Sequence, residues 1–136
     1  MPFLLAPMLS ALVAAGPVQG LDVTGLWTPP ARDAQIEILD CGDRSPCGFI
    51  RSVIDPAHGG RDGQNPDPAL RGRALAGAKI LYGFTRAADG WTGGRIYDPK
   101  SGRTYDARLK LKPSGELLVS GCVGPFCQTQ TWGPVR

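Results

Sequence analysis

Thr104-Tyr105-Asp106-Ala107-Arg108-Leu109-Lys110-Leu111 alternates without a break. Tyr105, Ala107, Leu109 and Leu111 take every second position, and Thr104, Asp106, Arg108 and Lys110 fill the others. Successive side chains on a strand point to opposite faces, so this octet predicts one buried and one wet face. A half-wet strand belongs to an antiparallel sheet.

The flanks of the octet carry turn residues. Pro99-Lys100-Ser101-Gly102 precedes it, Pro113-Ser114-Gly115 follows it, and Ala87-Ala88-Asp89-Gly90 lies further upstream. These are hairpin-sized connections of the residue types that turns require. The chain has 19 Gly and 13 Pro, and its turn signals recur every ten or so residues. Eight candidate strands follow, at 23–28, 35–39, 47–54, 78–84, 90–97, 104–111, 116–122 and 127–132. Short loops between consecutive strands make a meander, and eight strands can close and remove their exposed edges. The expected fold is all-β, an eight-stranded antiparallel up-and-down barrel. At this strand number the interior is filled by side chains or holds one small ligand. Short strands make the cup shallow, and its expected lining is Ile36, Ile38, Ile80, Tyr82, Phe84, Tyr105, Leu109 and Val119.

One connection breaks the rhythm. Residues 55–77 form a loop far longer than a hairpin turn, and such loops are usually either functional or disordered. Within it, Asp67-Pro68-Ala69-Leu70-Arg71 predicts a short helical turn, with Asp67 as N-cap and Pro68 in the first position.

The N-terminus suggests export. Residues 1–20 carry no charged side chain, and 3–15 form an apolar run of signal-peptide length, too short to span a bilayer comfortably. Cleavage is expected near 15 or 20, leaving one domain at 21–136 and no stable membrane insertion. Four cysteines in an exported chain imply two disulfides. Cys41 with Cys47, and Cys122 with Cys127, each flank a turn-rich stretch, so local pairing is expected. The 15 basic and 12 acidic residues give a net charge of +3, spread without basic runs. That excludes a nucleic-acid binder of the usual electrostatic kind.

Three ordered motifs carry a resemblance. They are Asp62-x-x-Asn65-Pro66-Asp67-Pro68-Ala69-Leu70-Arg71-x-Arg73-x-Leu75-x-Gly77, then Trp91-x-Gly93-Gly94-Arg95-Ile96-Tyr97-Asp98-Pro99-x-x-Gly102-x-Thr104-Tyr105, and finally Gly121-Cys122-x-Gly124 with Gln130-Thr131-Trp132. Together they resemble a bacterial envelope family known only as domain of unknown function 2147. The resemblance covers nearly all of 21–136. It implies a lipocalin-like barrel in the periplasm or outside the cell, and it carries over no catalytic residue. Gly25-Leu26-Trp27 similarly looks like a lipocalin first strand, whose Trp plugs one end of the barrel. The chain departs from the family pattern where Gly133-Pro134 follow Trp132, so Trp132 is expected to seal the Trp27 end in place of a basic residue.

The candidate site residues each have a functional and a structural reading. Asp62, Asn65 and Asp67 suit a cation or a polar ligand group, or they cap a turn and a short helix. Arg71 and Arg73 suit an anion clamp, or they pair with Asp62, Asp67 or Asp98 to hold the long loop. Arg95 and Tyr97 share a face of a strand that Gly93-Gly94 can bulge, so whether Arg95 points inward stays open. Gln128, Gln130 and Trp132 share a face of the last strand. If it is the inner face, the amides either meet a ligand or tie the closing strand.

Catalysis has little support. His58 is the sole histidine, no Gly-x-Ser-x-Gly occurs, and the clear inward set Tyr105, Ala107, Leu109 and Leu111 holds no carboxylate. The expectation is an exported, non-enzymatic carrier or sensor, monomeric or dimeric, without cofactor or metal. Its ligand would be small and apolar or amphipathic, with a polar or anionic end. The alternative is an envelope interaction module with a side-chain-filled barrel.

Overall fold

The computed structural model describes residues 22–54 and 60–136. Among them nine strands form: β1 Gly25–Thr28, β2 Ala34–Asp40, β3 Pro46–Val53, β4 Lys79–Tyr82, β5 Thr85–Arg86, β6 Trp91–Asp98, β7 Arg103–Leu111, β8 Leu117–Val123 and β9 Phe126–Pro134. The segment 1–20 read as a signal peptide, and His58, lie outside the described residues.

All pairings are antiparallel. Neighbours run β4-β3-β2-β1-β9-β8-β7-β6-β5, and an added β4–β6 pairing closes eight of the strands into a barrel. The fold is the predicted meander, with one correction. The expected fourth strand, 78–84, divides at Gly83, whose φ of 79° turns the chain. Tyr82 ends β4 and the two-residue β5 continues beside β6 alone.

A second irregularity decides which side chains enter the barrel. Gly48 pairs with Leu81 but Phe49 pairs with Lys79, so Ile80 is an extra residue in β4. The bulge lets adjacent residues Ile80 and Leu81 both bury, at 5% and 0% exposure. Leu81 fills the space over Gly48, where a Cβ would stand 2.7 Å from Leu81 Cδ1. Beyond the bulge the alternation is shifted by one. Tyr82, expected inside, therefore pairs with Arg95 on the outer face.

The register of β6 resolves the Arg95 question. Gly94 pairs with Ala107 and Ile96 with Tyr105, which sets Gly94 and Ile96 on the inner face. Arg95 is outward, exposed and 3.0 Å from Asp106 Oδ1. The ring of Phe84 packs onto Gly94, taking the space that a side chain there would need.

The two ends of the barrel differ. Trp27, Ile38, Leu109, Leu117 and Trp132 all belong to the buried core. Trp27 donates its indole N–H to Val23 O at 3.0 Å. Gly133 and Pro134 extend β9 and pair with Thr28 and Trp27, while Val135 N donates to Leu26 O at 2.8 Å. Trp132, 2% exposed, belongs to the same buried core as Trp27. The opposite end gathers the β1–β2, β6–β7 and β8–β9 turns and the long β3–β4 loop.

Both disulfides are local, Cys41 to Cys47 and Cys122 to Cys127. The second joins directly paired positions of β8 and β9, below the tip of that hairpin.

Candidate functional site

β9 closes against β1 over only two residue pairs, Trp27 with Pro134 and Thr28 with Gly133. The chain then enters Pro29-Pro30, and a turn closed by Arg32 N to Pro29 O at 3.0 Å sends it into β2. Proline has no N–H to continue the ladder. Residues Phe126 to Trp132 of β9 consequently pair with β8 alone.

A cavity of about 590 Å³ lies inside this incompletely zipped wall. Its apolar side is made by Ile36, Ile50, Ile80, Ile96 and Val119. The β9 side presents Phe126, Gln128, Gln130 and Trp132. Register explains this face. Gln130 pairs with Val119 and Gln128 with Gly121, which continue the inner row of Leu109 and Ala107 across β7. Around the opening stand Pro29 and Ala31 of the first turn, Lys100 of the β6–β7 turn, and Arg61, Gln64 and Leu75 of the long loop. Ile36, Ile80, Tyr105 and Val119 line the cavity as expected. Ile38, Phe84 and Leu109 are instead sealed in the core, and Tyr82 lies outside.

The long loop is organised by one carboxylate. Asp62 is fully buried. Tyr97 Oη donates to its Oδ1 at 2.6 Å, and Asn65 Nδ2 and Arg73 Nε donate to its Oδ2 at 2.8 and 2.9 Å. Burial alone would raise the Asp62 pKa, but the bonds from Tyr97, Asn65 and Arg73 and the Arg73 charge outweigh it and lower the value. Burial, then the bond to the Asp62 carboxylate, push Tyr97 up to about 12. The Arg73 guanidinium also lies 5.9 Å from the centre of the Tyr97 ring. Tyr97 shares the outer face of β6 with Arg95 by alternation, and it is buried because the loop covers it.

The remaining loop candidates serve the same purpose. Asn65 Oδ1 accepts from Asp67 N at 2.9 Å, and Asp67 Oδ1 caps the 3-10 turn Pro68–Leu70 by accepting from Ala69 N at 3.0 Å. Arg71 Nε donates to Asn65 O at 2.8 Å. Asp62, Asn65, Asp67, Arg71 and Arg73 are therefore gathered into the loop's own bonding, and none of them lines the cavity. Of the sequence candidates, Tyr97, Tyr105, Gln128, Gln130 and Trp132 line it. Arg61 and Lys100 at the opening were not anticipated, since each is a single cation in a turn with no pattern around it. Arg61 donates to Gly72 O at 2.6 Å, and Lys100 meets Asp33 Oδ2 at 2.5 Å. Among the described residues no group of three His, Cys, Asp or Glu gathers to hold a metal, and no helix is long and apolar enough to cross a membrane.

A family model described as an uncharacterized protein conserved in bacteria (DUF2147) matches residues 25–133, and the chain belongs to that family. No curated protein matches it. Among solved structures the chain is similar to protein HP1028 from the human pathogen Helicobacter pylori, described as belonging to the lipocalin family. That likeness has a TM-score of 0.74 at 21% identity, over 85% of this chain and 84% of the other, and it shows a shared lipocalin-like fold.

Proposed function

We propose that this DUF2147 member is an exported carrier or sensor that binds a small, largely apolar molecule with a polar end inside its barrel. The observation that carries the reading is the cavity of about 590 Å³, with apolar walls and a few convergent polar groups. Ligand sites are commonly of this size and character. The lipocalin-like fold supports small-ligand binding in general. Export is supported by the apolar 3–15 run and by two disulfides, which persist in oxidising compartments. A binding rather than catalytic role is supported by the use made of Asp62. Its partners Tyr97, Asn65 and Arg73 commit it to holding the loop, and it does not line the cavity.

Native mass spectrometry of protein purified from the periplasm of its own host tests this. A co-purifying small molecule of mostly apolar character is the expected result. An empty protein that also shows no mass shift with a panel of medium-chain lipophiles would sink the carrier reading.

A second reading has its own observation. Val123 and Phe126, at 63% and 80% exposure, leave the tip of the β8–β9 hairpin apolar and uncovered. Such a tip suits contact with an envelope partner.

A further inference from the structure

β9 has one bonded edge and one bare edge over most of its length. Val123 and Phe126 face each other across the turn Gly124-Pro125, and the pair that closes so short a hairpin exchanges main-chain bonds. Bonding sides alternate along a strand. Phe126, Gln128, Gln130 and Trp132 therefore turn their N–H and C=O groups toward β8, and Cys127, Thr129 and Thr131 turn theirs away. The far end of β9 shows the same phase, since Val135 N donates to Leu26 O on the β1 side. The β1 ladder stops at Gly133. Among the described residues, Cys127, Thr129 and Thr131 have no main-chain partner on that side.

Exposed edges in native sheets are commonly guarded by charged residues, prolines or bulges. This edge has none of them. Phe126-Cys127-Gln128-Thr129-Gln130-Thr131-Trp132 is uncharged, and it pairs with β8 from end to end without a register shift. Residues 126–131 are all exposed. Donors and acceptors at strand spacing are matched by another extended strand.

We infer that this edge is the interface between two copies of the chain, joined β9 to β9, antiparallel, about a two-fold axis at Thr129. Thr129 is the middle one of the outward-facing residues. An axis there sets it against the partner's Thr129, and sets Cys127 against the partner's Thr131. Every outward-facing residue then meets another, and each such pair exchanges two main-chain bonds. Any other register leaves some of these groups unmatched, so the edge is complementary to itself, as a two-fold interface requires. An uncharged strand brings no like charges together, and opposed threonines are a favourable cross-strand pair.

The second copy also completes the cavity. Gln128 and Gln130 line it and yet are exposed, because no strand stands beside them. In the joined sheet Gln128 lies opposite the partner's Gln130 on the cavity face, and two amides so placed can donate to each other. The partner's strand continues the wall where β1 stops. This is a statement about assembly, and it holds whatever the cavity contains.

Sedimentation velocity of the full mature chain tests it. The native chain is expected to sediment as a dimer at about 0.1 mM. Thr129→Lys and Thr129→Glu each place like charges across the axis, and each should associate at least threefold less tightly. An equimolar mixture of the two variants should regain at least the native affinity. Thr129→Pro removes an N–H that β8 does not use, so circular dichroism should show a folded barrel while association falls at least tenfold. A native chain that stays monomeric at that concentration overturns the inference. So does a dimer that folded Thr129→Lys and Thr129→Pro leave unchanged, which would place the interface elsewhere. A mixture no tighter than its separate components overturns the axis at Thr129 and with it the pairing.

Discussion

Tyr97 Oη donates to Asp62 Oδ1 across 35 residues of sequence, at 2.6 Å, and so fastens the long β3–β4 loop to β6. The loop thereby brings Arg61, Gln64 and Leu75 to the cavity opening. The bond links a fold contact to a binding surface, and it can be removed with one oxygen atom.

Tyr97→Phe leaves the Asp62 carboxylate one donor short in a buried position. The expected loss is about 1–3 kcal/mol, the penalty for a buried polar group deprived of its partner. Urea unfolding followed by Trp fluorescence measures it. A change below about 0.5 kcal/mol, the size of an ordinary surface substitution, would show that the bond does not hold the loop.

The same pair predicts the pH response. Asp62 has a folded pKa below its ordinary 3.8, so its contribution is present above that value and disappears as pH falls through the folded pKa. Tyr97 has a folded value raised to about 12 from 10.0. Its contribution is complete below pH 10 and is lost as pH rises through about 12. Stability curves of the native chain should therefore fall at both extremes. Asp62→Asn should flatten the acid limb and Tyr97→Phe the alkaline one.

Gly48 faces Leu81 across the β3–β4 ladder, and an added methyl group would collide with the Leu81 side chain. Gly48→Ala should cost about 1–3 kcal/mol through overpacking. Pairing it with Leu81→Ala should recover part of that loss, because the smaller partner makes room. A double-mutant cycle by thermal unfolding reads the coupling, and strict additivity would count against the contact.

Cys122–Cys127 closes a short loop at the tip of the β8–β9 hairpin. In the chain-entropy model such a loop contributes about 2 kcal/mol. Replacing both cysteines with Ser should lower stability by about that amount and raise amide exchange at Val123 to Phe126, while the rest of β8 and β9 keeps its protection.

Lys100 and Asp33 connect the β6–β7 turn to the β1–β2 turn, which stand on opposite sides of the eight-strand ring. Lys100 is largely exposed and Asp33 half-buried, so Asp33→Asn should change stability by about 1 kcal/mol or less. Because it crosses the open end, the same variant should take up N-phenyl-1-naphthylamine faster in stopped-flow mixing. An unchanged rate would show that the bridge does not restrict access.

Local residue patterns specify the elements and their nearby fastenings. The alternation in 104–111, the turns around it, the Asp67-Pro68 cap and both disulfide pairs depend on residues within a few positions of one another, and each stands where the sequence reading placed it. Tertiary structure decided which faces those elements show. One inserted residue at Ile80 sends Tyr82 outward, because strand side chains have a period of two and a single shift reverses them all. Arg95 lies outside and Gln130 inside for the same reason, each set by its pairing with the next strand. Asp62, Arg71 and Arg73 read equally well as ligand groups or loop fasteners until Tyr97 closes over Asp62. The cavity itself has no signature in the chain. It arises where Pro29-Pro30 end the β1 ladder early and leave two glutamines of β9 facing the space inside.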